Sequence, residues 1–228
     1  MSTSGTYDFN LELVDIVDEA YNNIGVEVRS GYDYRQARRS LDLLLLEWQN
    51  RGTNLWTVTQ ATTPLIADTT RYTLSSNIID IVEMVARTGT GSAQRDYTVK
   101  RVSLTDYARY TNKNTESTRP YTYWLERTAT DISLNIWPAP QDDTYSLHYW
   151  YMGKIEDTGA QGTNTVNVPS RYLPALVAGL TYKLALKLPT LLQQLPVYKG
   201  EYNEQLKLAE SSERSKTSLF ARPKMARI

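Results

Sequence analysis

A single histidine, His148, and the complete lack of cysteine set narrow limits on the chemistry open to this chain. Thiolate nucleophiles, thiolate metal sites and disulfides are excluded together. Zinc sites built on several histidines are excluded as well, and a serine–histidine–aspartate triad would have to use His148. That residue lies in the alternating segment Tyr145 to Met152, on the face of Ser146, Trp150 and Met152, where a packed or hydrogen-bonded role is the simpler reading. The glycines of Thr88-Gly89-Thr90-Gly91-Ser92-Ala93 have no Lys-Ser or Lys-Thr after them and no helix to cap, so they read as a polar hairpin tip. Asp142-Asp143 follows Pro138-Ala139-Pro140 and precedes a strand, which turn chemistry explains better than metal binding. Composition leaves open carboxylate-pair chemistry such as glycoside hydrolysis, which needs two acids across a cleft. Glu19, Asp131, Asp142 and Asp143 qualify only because, among 25 acids, some pair is always close. The expectation is no catalytic set, no metal site and no cofactor.

The charges point elsewhere. Net charge is zero, from 25 basic and 25 acidic residues, yet the signs are segregated. Residues 1–28 carry Asp8, Glu12, Asp15, Asp18, Glu19 and Glu27 with no Lys or Arg. Residues 211–228 carry Arg214, Lys216, Arg222, Lys224 and Arg227 against Glu213 alone. A neutral chain has no general affinity for phosphate backbones, which require a concentrated basic face. No apolar run approaches the roughly 18 residues of a membrane span, and the polar stretch Met1 to Asn10 lacks the pattern of a secretory signal. With 17 Tyr and 5 Trp against 2 Phe, the aromatic content suits either β-sheet packing or surfaces buried without being fully dry.

The elements that carry these residues follow from periodicity. A first helix is expected from Asn10 to Ile24, with Asn10 as N-cap, Gly25 beyond its end, and Leu13, Ile16, Val17, Ala20 and Ile24 as its apolar stripe. A second runs from Arg35 to Asn50, capped by Asp33 and ended by Gly52, with Ala37, Leu41, Leu44, Leu45 and Trp48 inward. Leu43 and Leu46 fall off that stripe, so this helix is apolar over more circumference than one neighbour can cover. Alternation then marks strands at Leu55–Thr59, Arg71–Leu74, Ile78–Arg87, Tyr97–Val102, Tyr121–Arg127, Ile132–Trp137 and Tyr145–Met152, with a short helix over Ser103–Tyr110. Their predicted core is Trp56, Ile79, Ile81, Trp124, Ile136, Trp137, Leu147 and Tyr149. Helical spacing returns at Leu173, Leu176, Val177, Leu180, Leu184 and Leu188, and again from Val197 to Ser212. After Arg214 the pattern is lost and Pro223 intervenes. The predicted fold class is α+β: a four-helix layer from residues 1–53 and 169–213, an inserted antiparallel β-barrel or sandwich over 54–168, and an extended basic arm over 214–228.

The segment Ile24-Gly25-Val26-Glu27-Val28-Arg29-Ser30-Gly31-Tyr32-Asp33-Tyr34-Arg35-Gln36-Ala37-Arg38-Arg39-Ser40-Leu41, continuing through Leu43-Leu44-Leu45-Leu46-Glu47-Trp48-Gln49-Asn50-Arg51-Gly52, resembles the head-to-tail adaptor (connector, tail accessory) proteins of short-tailed phages. Arg119-Pro120-Tyr121, Leu134-Asn135-Ile136-Trp137-Pro138-Ala139-Pro140 and Phe220-Ala221-Arg222-Pro223 extend the similarity over most of the chain. The resemblance implies a virion protein of the head–tail junction, assembled in host cytoplasm. It implies a homo-oligomeric ring, typically of twelve subunits, between the portal protein and the tail nozzle or tubular protein, with double-stranded DNA as a passenger in its channel and no membrane partner. The helical part would face the portal and the β-module the tail. The basic tail reads either as a solvated end or as a docking arm, and the resemblance makes it a portal-binding arm (Leu219, Phe220, Arg222, Pro223, Lys224, Met225, Arg227, Ile228). The other residues assigned on this basis are a subunit interface (Asp15, Asp18, Glu19, Arg35, Arg38, Arg39, Leu43, Leu46) and a tail-facing loop (Gly89, Thr90, Gly91, Ser92). A tail-tube or nozzle subunit, and a carboxylate-dependent cell-wall hydrolase, are the competing readings.

Overall fold

A computed structural model describes residues 5, 9, 11–27, 31–52, 54–128, 130–159 and 163–213. Two helices come first, α1 (Leu13–Asn23) and α2 (Gly31–Arg51). The β-rich stretch holds β1 (Val58–Pro64), β2 (Arg71–Leu74), β3 (Ile78–Thr88), β4 (Arg95–Thr98), β5 (Lys100–Arg101), α3 (Leu104–Ala108), β6 (Glu116–Ser117), β7 (Thr122–Arg127), β8 (Ile132–Trp137), β9 (Ala139–Pro140) and β10 (Ser146–Gly153). Two more helices, α4 (Leu173–Ala185) and α5 (Leu195–Glu213), follow. The chain is α+β and divides into two compact units, one made from both ends of the chain and one from residues 54–155.

In the helical unit, α1 starts at Glu12 and not at the expected Asn10, which lies outside the described residues. The Glu12 side chain accepts the Asp15 amide, while the Asp15 carboxylate accepts the Glu12 N–H at 3.2 Å. This reciprocal pair satisfies two amides that helix geometry leaves unbonded. Gly25 follows the helix at φ +69°, as its position after the last periodic residue predicts. Asp33 lies inside the first turn of α2 instead of capping it, still near the positive end of the helix dipole. Gly52 closes α2 at φ +70°.

The inward faces of these helices meet on α4, which contacts α1, α2 and α5. Pro174 is tolerated because it occupies the first turn, where its missing N–H has no partner to lose. Leu173, Ala175, Leu176, Ala178, Gly179, Leu180, Thr181, Leu184 and Ala185 are all buried. Leu188, expected as the end of the stripe, lies beyond the helix and is half-buried. On α5, Tyr202, Leu206 and Ala209 face inward, and the helix begins at Leu195 with Pro196 in its first turn. The Trp48 indole N–H donates to the Tyr202 hydroxyl at 2.9 Å in the buried interior.

Residues 156–168 were expected with the β-module and instead belong with the helices. Polar contacts hold them there. Asp42 accepts the amide and hydroxyl of Thr158 at 3.1 and 2.8 Å, and Arg38 donates to the Gly159 carbonyl at 3.0 Å. The Leu13 amide donates to the Asn164 carbonyl at 2.9 Å.

The 54–155 unit contains two four-stranded sheets, ordered β1-β10-β3-β4 and β2-β8-β7-β5, and a small β6-β9 pair. Neither four-stranded sheet closes into a barrel, and the pairing is mixed, because β5–β7 and β6–β9 are parallel. The expected strand Tyr97–Val102 splits at Val99, which is 3% exposed. Its amide bonds to the Met84 carbonyl of one sheet, while the next amide, Lys100, bonds to the Tyr121 carbonyl that leads into the other. One short extended stretch thus serves both sheets, and the parallel pairing follows from that crossing. Both sheets contribute to a single apolar cluster, with Ile78, Ile81, Met84, Leu147 and Tyr149 from one and Tyr72, Leu74, Leu125, Leu134 and Ile136 from the other. Ile81, Ile136, Leu147 and Tyr149 were expected there. Trp56, Ile79, Trp124 and Trp137 are half-buried and outside it. Trp124 stacks on Tyr107 and Trp137 on Tyr110, with ring centroids 5.5 and 4.1 Å apart. The expected first strand also starts late: Leu55–Thr57 is a 3₁₀ turn, in which buried Asn54 donates to the Gly153 carbonyl and to Thr57 Oγ1, each at 3.0 Å.

Asp80 on β3 ties the sheets together at one edge. It receives Arg101 of β5 at 2.9 Å and Arg127 of β7 at 2.7 Å. Burial works against its ionisation, but the two arginines and the Ile81 amide outweigh that cost and hold its carboxyl below the usual range. A carboxyl with a depressed folded-state pKa stabilises fully above its unfolded value, about 3.9, and loses that contribution as pH falls through the folded value. Asp80→Asn is therefore expected to lower the urea midpoint of the protein at pH 7, and the gap from wild type should close as pH falls below about 4. A gap that is independent of pH would mean that packing, not charge, is lost.

Candidate functional site

Of the residues with catalytic potential, His148, Asp131, Asp142 and Asp143 are engaged in local structural contacts. His148 is half-buried on β10, its Nδ1 3.1 Å from Thr62 Oγ1 and its Nε2 3.0 Å from Ser146 Oγ. Burial, and then the Arg87 guanidinium, depress its pKa, with Asp96 opposing. Both ring nitrogens meet hydroxyls and neither meets a carboxylate, so the geometry does not assemble a triad. Asp142 accepts the Thr144 amide at 3.0 Å, and Asp143 accepts the Ala67 amide at 2.7 Å. These are the contacts of an ordered turn. Asp131 accepts the Thr130 hydroxyl at 2.8 Å. Among the described residues, no group of three or more His, Asp or Glu is placed to hold a metal ion.

Surfaces are the more informative feature. On α2, Tyr32, Arg35, Arg39, Leu43 and Leu46 follow one another at helical spacing and are all exposed. Leu43 is 59% exposed and Leu46 50%. The N-terminal half of this stripe opens into a cleft of about 620 Å³ whose lining includes Arg35, Arg39, Leu43 and Lys187 and, among the described residues, no carboxylate. Lys187 donates to Ser40 Oγ at 2.5 Å, and burial, together with the Arg39 charge, lowers its pKa. Three cations and two leucines thus share one face of the helical unit. Lys187 was not foreseen from sequence, because nothing in local periodicity links the end of α4 to the start of α2. Tyr32 could have been found by extending the spacing of Arg35, Arg39 and Leu43 one turn back.

The other residues assigned to the subunit interface divide into two groups. Asp15 serves in the α1 cap and is exposed, as is Glu19. Asp18 and Arg38 have internal partners instead. Asp18 accepts the Tyr34 hydroxyl at 2.6 Å, a bond that, with burial, pushes the Tyr34 pKa up to about 12, and Arg38 binds the Gly159 carbonyl. Among the described residues no ion pair joins Asp15, Asp18 or Glu19 to Arg35, Arg38 or Arg39.

The loop assigned to the tail side joins β3 to β4. Gly89, Thr90, Gly91 and Ser92 are exposed, above a bidentate Arg87–Asp96 pair at 2.7 and 2.8 Å. Gly89 has φ +74°, and a Cβ there would lie 2.5 Å from the Ala93 carbonyl oxygen, so only glycine fits this tight turn. The arm residues Leu219, Phe220, Arg222, Pro223, Lys224, Met225, Arg227 and Ile228 lie outside the described residues.

The chain belongs to the SU10 adaptor protein family, whose match spans residues 6–224. This agrees with the resemblance to phage head-to-tail adaptors and places the chain among phage structural adaptor proteins. No curated protein sequence matches it.

The division between inward and outward residues has a measurable consequence. Arg38→Ala removes a partly buried hydrogen bond to a carbonyl and is expected to destabilise the helical unit by about 1 kcal/mol. Leu43→Asp alters an exposed position and should change stability by no more than about 0.5 kcal/mol. Urea titration of the monomeric protein at low concentration checks both, and the reverse ranking would contradict the assignment.

Proposed function

We propose that this protein is the head-to-tail adaptor of a short-tailed phage, a ring of typically twelve subunits between portal and tail nozzle through which double-stranded DNA passes. The single observation that carries this reading is the family match over 219 of 228 residues, from 6 to 224. The surface chemistry supports it. In this reading the helical unit faces the portal, the 54–155 unit faces the tail with Gly89–Ser92 at its contact loop, and residues 214–228 form the portal-binding arm. Overall neutrality suits a conduit, since each phosphate contact would add affinity and slow passage. The protein acts by assembly and not by catalysis.

The subunit interface in this proposal is heterologous. The basic and apolar stripe of one copy (Arg35, Arg39, Leu43, Leu46) meets the acids of α1 (Asp15, Glu19) on the next. Asp18 and Arg38, with their internal partners, hold each subunit in shape. Exposed ion pairs contribute only about 0–1 kcal/mol each, so leucine burial supplies most of the association energy and the charges set register. Leu43→Asp is thus expected to abolish rings in negative-stain images and to leave sedimenting monomers that melt like wild type. Intact rings from this variant would move the interface elsewhere, and six-fold rings from the wild type would favour a tail-tube or nozzle subunit.

The arm gives a separate test. A chain truncated after Glu213 retains every helix and strand of both units. It should melt within a few degrees of the full chain, yet fail to co-sediment with portal rings at ordinary salt. Undiminished co-sedimentation would place portal recognition on the helical unit itself.

A further inference from the structure

A second cleft in the helical unit, of about 930 Å³, lies among α1, α4 and α5. Its walls are mainly apolar, with Leu173, Pro174 and Val177 on one side and Val197 on another, and its charged residues are Glu19 and Glu201. Among the described residues these are its only charged groups, and no Lys or Arg lines it. Val197 is 71% exposed at its edge. An apolar trough with an acidic rim fits a segment that alternates apolar side chains with bases, and the chain contains one. Residues 214–228 carry Leu219, Phe220, Met225 and Ile228 among Arg214, Lys216, Arg222, Lys224 and Arg227.

The last described residue before that segment, Glu213, lies near one end of the cleft. Helices α4 and α5 are antiparallel: Tyr182 stacks on Tyr202 toward one end, with ring centroids 6.4 Å apart, and Arg171 pairs with Glu213 at the other. Glu213, the last residue of α5, is thus beside Arg171, whose neighbour Ser170 lines the cleft. From Glu213 back to Val197 is 16 helical residues, about 24 Å at 1.5 Å each. An extended chain advances about 3.3–3.6 Å per residue, so roughly seven residues cover the same distance. The seventh residue after Glu213 is Phe220.

We infer that residues 214–228 fold back along α5 and occupy the cleft of their own subunit, with Leu219 and Phe220 against its apolar walls and the bases beside Glu19 and Glu201. The tether favours this over a partner in solution, because a short linker presents its own segment at an effective concentration in the millimolar range. The inference concerns the free subunit and does not depend on the adaptor reading. If both hold, portal and cleft compete for the same arm, and the arm leaves its cleft only when portal subunits are there to receive it.

Because the chain has no cysteine, a disulfide between two introduced residues reports this contact without background. Asn23→Cys on the cleft wall is combined with Ala221→Cys, which leaves both apolar anchors in place. A control combines Ala221→Cys with Lys199→Cys, exposed on α5 and outside the cleft. In dilute full-length protein under mild oxidation, the Asn23 pair is expected to form an intrachain link at least about tenfold faster than the control, in keeping with a local tethered contact. Adding Glu201→Lys, or raising salt to 1 M, should reduce that advantage severalfold. A disulfide-linked dimer in place of the intrachain link would assign the cleft to a second copy, and equal rates for the two pairs would leave it without this occupant. Either result overturns the inference while leaving the portal co-sedimentation test untouched.

Discussion

The burial of α4 is the constraint on which the helical unit rests. Its small residues let three helices approach it at once. At Gly179 a methyl group would sit 2.7 Å from Leu44 Cδ2 and 2.9 Å from Tyr202 Cε2, closer than carbon atoms can rest. The same approach brings Trp48 to Tyr202, so that the largest side chain of the interior has its one polar atom bonded where water cannot reach it. Because α4 consumes the inward faces of α1, α2 and α5, the leucines of α2 that fall off its stripe have no place inside. Exposure of Leu43 and Leu46 is a consequence of how the interior is filled.

Charge follows the same division. The groups of α2 that turn inward are neutralised within the subunit: Glu47 receives Lys183 at 2.7 Å and Arg51 at 2.5 Å. Burial opposes ionisation of Glu47, and these two cations overcome it to keep the carboxyl below its usual range. Asp42 holds Thr158 and Arg38 holds Gly159, which fastens the returning chain to the helices. What is left on the outer face is Arg35 and Arg39 beside Lys187, three like charges around one cleft. Like charges at short range are destabilising and are relieved by a partner that brings carboxylates. The exposed acids of α1 have that character.

How much of this was legible in the sequence depended on the range of the interaction that decided each feature. Helix bodies, the strands Arg71–Leu74 and Ile78–Thr88, the hairpin at Gly89 and the exposure of Leu43 follow from local periodicity and turn chemistry, and all could be read directly. The start of α1 was missed because Glu12 and Asp15 cap it reciprocally, and Asn10 looked sufficient alone. The split at Val99 could not be read, since only the second sheet explains why one extended run changes partners. Trp124 and Trp137 were placed in the β core on size. They instead stack on Tyr107 and Tyr110, which also accounts for part of the tyrosine content without any interface. The 156–168 segment was lost for a similar reason: its anchors, Arg38 and Asp42, lie more than 110 residues away.

The separation of acids and bases also restricts the kinds of assembly open to this chain. A two-fold dimer buries the same patch twice, and a patch with three cations would then face its own copy, with repulsion at the centre. Contact between unlike patches avoids this, because the basic stripe of α2 and the acidic face of α1 are different surfaces of one subunit. Such a contact leaves the growing assembly with one unused patch of each sign, at its two ends, so growth continues until rotation brings the last acidic face onto the first basic one. In the assembly proposed above a ring is the closed solution, in which the exposed leucines of α2 and its like charges would each meet a neighbour. The packing on α4 leaves the outward face of α2 exposed and the internal ion pairs leave it basic, so the heterologous contact proposed above, with the exposed acids of α1 on a neighbour, answers both features at once.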